Sequence, residues 1–259
     1  MKINRTDTLK ADQGAAYVEF LMAFIPFFIM FLGMVQMCLM YAGDLVVQHA
    51  ASRAARAAVV VLDDDPQYYD GAERRRIDVS GSSSDGALGA VIALFSGGGG
   101  GGGGGGASGG PRFSAIRSAA SLPLASISPS LRQLMRSDSV MTAIGSPETR
   151  AATGVFMYND SAMGVTFPTA PGATSYRETF DHGDQVTTRV TYLFHCGVPL
   201  VNRMMCRSYG AVGPSEVRDE LERGGASGTL GGALGSYFKG MRAEATMPLQ
   251  SAHYRYPSE

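Results

Sequence analysis

Hydrophobic positions are spread unevenly along this chain: they gather in one block near the N-terminus and then thin into shorter patterned segments. From Phe20 to Gly43, 24 consecutive residues carry no charge and are rich in Phe, Ile, Leu and Met. A bilayer core of about 30 Å needs roughly 20 apolar residues in a helix, so this run is long enough to span. The apolar part of a secretory signal peptide is only about 7–15 residues. Small residues after Tyr41 leave cleavage there as the alternative reading, and a buried helix of a soluble protein seldom goes so many turns without a polar face. Beyond Gly43, "DLVVQHAASRAARAAVVVLDDDP" is alanine-rich and free of proline until Pro66. The pattern predicts one helix from Ala15 to Leu62, about 72 Å long at 1.5 Å per residue. Asp63, Asp64 and Asp65 followed by Pro66 make its stop, and Pro26 should kink its inner half. Three adjacent carboxylates lack the alternating spacing of a calcium loop. Such a helix outruns any bilayer, so its outer half must pack on the rest of the protein. Ala50, Ala51, Ala54, Ala57 and Ala58 allow that close approach.

After the helix the chain loosens. Residues 63–110 are polar and turn-rich apart from "ALGAVIALF", a short run suited to a docked helix, and end in ten glycines from Gly97 to Gly106. Such a tract reads as a flexible linker. It imitates two motifs, a dinucleotide-binding glycine pattern and, at Gly106 to Gly110, G-x-S-x-G around Ser108. A nucleophile elbow needs a strand before it and a helix after it, and glycines supply neither. "FSAIRSAASLPLA" and "SPSLRQLMRSDSVMTAIG" predict short amphipathic helices broken by Pro123 and Pro129. "GVFMY" and "MGVTFP", on either side of Asn159, Asp160 and Ser161, predict a hairpin. "DQVTTRVTYLFHCGVPL" alternates, with Val186, Thr188, Val190, Tyr192 and Phe194 on one face and Thr187, Arg189, Thr191, Leu193 and His195 on the other. "RAEATMPLQSAHYRY" predicts a last strand edged by Pro248, and the glycine-rich stretch from Arg223 to Gly240 a long connection before it. The fold class is α+β: a long N-terminal transmembrane helix extending into an exported domain, with a small antiparallel sheet against its outer half. The expected divisions are a leader (1–14), the helix and its extension (15–62), a Gly-rich linker region (63–110) and an exported domain (111–259).

Charge orients this arrangement. Lys2, Arg5 and Lys10 precede the span, whereas only Arg53 and Arg56 follow it, at a distance. The positive-inside rule then favours a cytoplasmic N-terminus and an exported body. The cysteines agree. Cys38 lies in the span, while Cys196 and Cys206 are close together in the exported part, where a disulfide would close a small loop worth about 2–3 kcal/mol. The rival reading, a metal held by His195, Cys196 and Cys206, lacks a fourth ligand with zinc-like spacing. A net charge of −1 gives no hint of nucleic acid, and nothing in the composition asks for a cofactor.

Glu19 is the misfit. A carboxylate costs about 2.5–3.5 kcal/mol at a bilayer centre and much less near its edge. Glu19 stands one residue before the uncharged run, so it is free to snorkel. It also stands five residues after Gly14, with Phe20 next. A cut after Gly14 would leave an α-ammonium on Ala15, about one helical turn from the carboxylate. In a bundle of such helices that ammonium can pair with a neighbour's glutamate. Gln36, farther along the span, serves as the neutral comparison.

A leader ending in Gly, a Glu five residues on, an aromatic next and then an unbroken apolar helix resemble the type IV pilin and pseudopilin class. Within it, "GAAYVEF" followed by "HAASRAARAAVV" resembles the TadE-like pseudopilins of Tad (tight adherence) pilus systems, through Gly14, Glu19, Phe20, Arg53 and Arg56. The likeness covers about residues 10–62. Asp12 and Gln13 depart from the family's pattern, which has a basic residue before the glycine. The resemblance implies a pilin-like fold, leader removal by a prepilin peptidase, residence in the inner membrane, and work with other pilins and the assembly platform of an adhesive pilus.

Two other function classes make different demands on the residues. A membrane-anchored hydrolase would need partners for His49, His182, His195 or His253, and the sequence shows none. A periplasmic binding or scaffolding protein that uses the helix only as an anchor differs at Gly14, where it has no need of cleavage.

Overall fold

The computed structural model describes residues 5–79, 109–129, 158–208, 215–226 and 237–249, with side chains from Tyr17 onward in the first helix and from Val217 in the helix of residues 215–223. Helix α1, Arg5–Asp63, is a single α-helix that runs through Pro26. It begins ten residues before the expected start at Ala15, so the residues read as a leader share the helix from Arg5 on. At its far end Asp65 caps a 3-10 turn, Pro66–Tyr69, by accepting from the Gln67 amide.

Helix α2, Pro111–Leu124, opens with proline in its first turn, where the missing amide has no intrahelical partner to lose. Its Phe113, Ile116, Ala120 and Leu124, spaced three and four apart, are fully buried. They pack on α1, whose Ala50, Ala51, Ala54 and Ala58 are fully buried as well. Pro123 lies within this helix, one residue from its end. The break expected there comes only after Leu124, because a proline in the last turn costs little once the preceding turns are packed.

Among the described residues four strands follow: β1 (Met163–Thr166), β2 (Gln185–His195), β3 (Arg207–Ser208) and β4 (Tyr237–Pro248). Two helices lie among them, α3 (Asn202–Met205) and α4 (Ser215–Arg223). The sheet is antiparallel with the order β1-β2-β4-β3. Its central strands pair in a register that sets Val190 opposite Ala243 and His195 opposite Phe238, and both pack on α1. This is the α+β, pilin-like arrangement of a long N-terminal helix and a small sheet. Gly43 makes the contact possible, since a Cβ there would stand 3.0 Å from the Phe194 ring.

Several expectations are corrected. Residues 158–162 are helical, so Asn159, Asp160 and Ser161 do not turn a hairpin. The reason is tertiary: Arg117 of α2 donates to the Asp160 carbonyl at 2.6 Å and stands 3.4 Å from its carboxylate, and the strand that follows pairs with β2 instead. Burial lowers the pKa of Arg117 and raises that of Asp160 against their mutual attraction. β4 starts at Tyr237, inside the stretch read as a connection, because Phe238 pairs with both His195 and Arg207. The same stretch contains the end of α4, where Gly224 meets Gly164 so closely that a Cβ would overlap the β1 backbone. Strand β2 is buried on both faces. Its polar face is covered by α4, with Arg189 bonded to Glu220 at 2.8 Å and Glu244 at 2.6 Å, and Thr191 donating to Glu220 at 3.0 Å.

The linker expected over 63–110 is ordered at both ends. Ile77 is fully buried and donates its amide to Glu178 O at 2.8 Å, and Arg76 bridges to Thr179. The Gly110 amide donates to Asp78 O at 2.8 Å, so the chain leaves and returns at one place. The poly-glycine tract, "ALGAVIALF", all but the first two residues of the helix read from Ser128 onward, most of "GVFMY", Ser108 and His253 lie outside the described residues.

Candidate assembly site along the N-terminal helix

Helix α1 has two unlike parts. From Tyr17 to Val35 no side chain is buried, and Tyr17, Phe20 and Met22 are 73, 61 and 74 % exposed. From Gln36 on, burial follows a helical stripe: Gln36, Met40, Gly43, Val47, Ala50, Ala51, Ala54 and Ala58. The run read as one span from Phe20 to Gly43 is therefore divided at Gln36. That residue is not a neutral position, because its side chain is fully buried and its Oε1 accepts from the Val198 amide at 3.3 Å. Among the described residues its Nε2 has no hydrogen-bond partner. By length and composition α1 supplies one helix able to cross a membrane.

Glu19 is exposed on the unburied part. One position on, Phe20 begins a ladder at fourfold spacing, with ring centroids of Phe20, Phe24 and Phe28 separated by 5.4 and 5.5 Å. The charge and the ladder thus stand on a surface that the chain itself leaves uncovered. Gly14 and Ala15 are within the helix. Arg53 and Arg56 are exposed, on the side of α1 turned away from its buried alanines. Arg53 lines a shallow groove with Leu45, His49 and Leu122.

Cys196 and Cys206 form a disulfide with a Cα–Cα distance of 6.5 Å, and Cys38 is free and exposed. With both sulfurs joined, neither is a thiolate available to a metal, and among the described residues no group of three or more His, Cys, Asp or Glu is placed to hold one. His195 packs edge-on against Phe238, and burial lowers its pKa by disfavouring the charged form. His49 lines the groove on α1 and His182 lies exposed.

Three interactions escaped sequence reasoning. Arg112 is buried and caps the end of α1, donating to Val61 O, to Asp64 O at 3.0 Å and to Ala72 O at 3.1 Å, with its guanidinium 4.6 Å from the centre of the Tyr69 ring. Arg117 donates to Gly224 O at 2.8 Å and so joins α2 to α4. The third is the bond between Gln36 and Val198. An arginine in a Ser/Ala-rich stretch reads as solvated, and only the paired positions of Arg112 and Arg117 among buried apolar neighbours mark them out.

The family model described as TadE-like protein matches residues 14–56. No curated protein matches the chain, and no solved structure does. The matched stretch opens at Gly14, takes in Glu19 and the phenylalanine ladder, crosses the change at Gln36 and closes at Arg56. Over residues 14–56, then, this chain is similar to the TadE-like proteins.

Proposed function

We propose that this protein, associated with the Tad pilus through its TadE-like segment, is a minor pseudopilin that works by helix packing in the inner membrane and not by catalysis. The observation that carries the reading is the TadE-like match beginning at Gly14 on a helix whose residues Tyr17–Val35 the chain leaves unburied. The leader through Gly14 is cytoplasmic and is removed by a prepilin peptidase, and the sheet domain is on the exported side. An apolar layer of about 30 Å takes about 20 helical residues. With the domain seated at Gln36, that layer reaches back to about residue 16 and takes in Glu19. A carboxylate held there gains from a partner, and the ammonium of Ala15 on a neighbouring subunit is one of the right sign. Phe20 and its ladder supply apolar contact beside the pair. Arg53 and Arg56 face outward, available to other pilus subunits.

Glu19→Gln tests this directly. The variant should insert and be cleaved after Gly14 but fail to support piliation. Truncating one member of a desolvated charge pair costs about 3–5 kcal/mol, with a site near the interface at or below the low end. Even there, an assembly equilibrium falls by about two orders of magnitude. Met22→Leu is the control, replacing a side chain that is exposed and uncharged; Gln36 is unsuitable because it is buried. Normal pili with Glu19→Gln, or an intact Met1 in cells that contain the peptidase, would return the protein to an anchored periplasmic binding or scaffolding role.

A further inference from the structure

We infer that the disulfide-closed loop from Cys196 to Cys206 is a second membrane contact, which rests Leu200 and Met204 in the interfacial layer of the outer leaflet and sets Arg203 and Arg207 against lipid phosphates. The inference depends on the reading of α1 as a membrane span.

Gly43 of α1 meets Phe194 near the end of β2, and Gln36 of α1 meets Val198 just beyond it. Seven residues of helix separate the two contacts, a drop of about 10 Å towards the apolar end. On leaving β2, the chain therefore runs down α1 and reaches the height at which side chains cease to be buried. Tyr41, 69 % exposed on the helix, stands five residues or about 7.5 Å above Gln36, the level of a headgroup region that amphipathic aromatic rings favour.

The chemistry of the loop suits that height. Val201, Cys196 and Cys206 are buried and hold it on the domain, while Leu200 is 61 % and Met204 76 % exposed. Among the described residues, nothing covers these two large apolar side chains on a loop closed by a disulfide. Leu200 also has φ of +69°, a backbone region in which a bulky side chain is strained and glycine would be at ease. Between Cys196 and Ser208 there is no acidic residue, whereas Arg203 and Arg207 are both present and exposed. Apolar tips flanked by basic side chains match a surface with acyl chains beneath and phosphates above.

The chain contains no tryptophan, so one introduced tryptophan reports alone. Leu200→Trp, Phe28→Trp and Tyr68→Trp full-length proteins are reconstituted in vesicles of phosphatidylcholine with a minority of phosphatidylglycerol. The Cys196–Cys206 bond is verified by non-reducing peptide mapping. Phe28→Trp should be quenched by lipids brominated deep in the acyl chains, and Tyr68→Trp by acrylamide from the water. Leu200→Trp should emit at shorter wavelength than Tyr68→Trp and be quenched most by lipids brominated near the headgroup. Adding Arg203→Glu and Arg207→Glu should lower the lipid-contacting fraction, by about five-fold for each basic side chain lost at an anionic surface. Leu200→Trp as open to acrylamide as Tyr68→Trp, with Phe28→Trp still quenched from within the bilayer, overturns the loop contact and leaves the span standing. Leu200→Trp shielded from acrylamide but untouched by every brominated lipid also overturns it, because the shield is then protein. Phe28→Trp unquenched by deep bromines removes the span, and the loop contact with it.

Discussion

The two halves of α1 are both apolar, yet they are built from different residues. Below Gln36 the helix is made of Phe, Ile, Leu and Met, and no side chain between Tyr17 and Val35 is buried. Above it, alanine takes over, and Ala50, Ala51, Ala54 and Ala58 are buried completely while Arg53, Arg56 and Val60 on the same turns are exposed. Apolar character therefore does not reveal what covers a helix, whereas side-chain size and sidedness do. Lipid chains mould themselves around large side chains on every side. A protein neighbour is close-packed and arrives from one direction, so it selects small residues in a stripe that bring two backbones together.

The contrast can be broken most severely at the end of the outer half. Arg112→Met removes three charge-assisted bonds to carbonyls, two at the α1 terminus and one at Ala72 in the segment beyond it. Hydrogen bonds to charged groups are worth about 1.5–3 kcal/mol each, so the domain should lose about 3 kcal/mol or more. Denaturant unfolding in detergent, followed by circular dichroism, measures it; an unchanged midpoint would show that packing alone ends the helix. Next in size is a direct exchange between the halves. Ala54→Leu inserts volume where none is free and should cost about 1–3 kcal/mol, while Phe28→Leu, at an unburied position, should leave unfolding of the domain unaltered. Equal losses from both would erase the distinction. The smallest change concerns the excursion that starts beyond the helix end. Asp78 and Gly110 are already hydrogen-bonded, so replacing residues 80–108 with a turn of about four residues should keep the domain folded. It should even add about 1–2 kcal/mol through cheaper loop closure. A destabilised domain would mean that the segment contributes contacts of its own.

What could be read in the sequence follows from how local each cause is. The apolar run, its alanine-rich continuation and the aspartates that end it are properties of one helix, and the sequence carried them to within ten residues at one end and one at the other. The alternation of β2 was legible because period two is local. That both its faces are covered was not, since α4 lies about thirty residues away and its Glu220 meets Arg189 only in the fold. Asn159, Asp160 and Ser161 have the residue types of a turn and are helical because Arg117, more than forty residues earlier, takes the Asp160 carbonyl. The pairing of Cys196 with Cys206 was accessible from spacing and topology together. Glu19 and Gly14 stood out by position, but nothing in either residue announces that Gln36 marks the level at which the domain begins.

A rod has mechanical consequences. Between Arg5 and Asp63 the helix has no break, and over its outer half it is fastened to α2, β2 and β4. The domain therefore cannot swivel on its stalk, and a pull on the sheet is delivered along the rod as axial load and across the alanine seam as shear. Compliance is confined to Pro26, where one backbone bond is missing and no domain splints the helix. Bending is thereby concentrated below the point of attachment, and everything above it turns as one stiff lever.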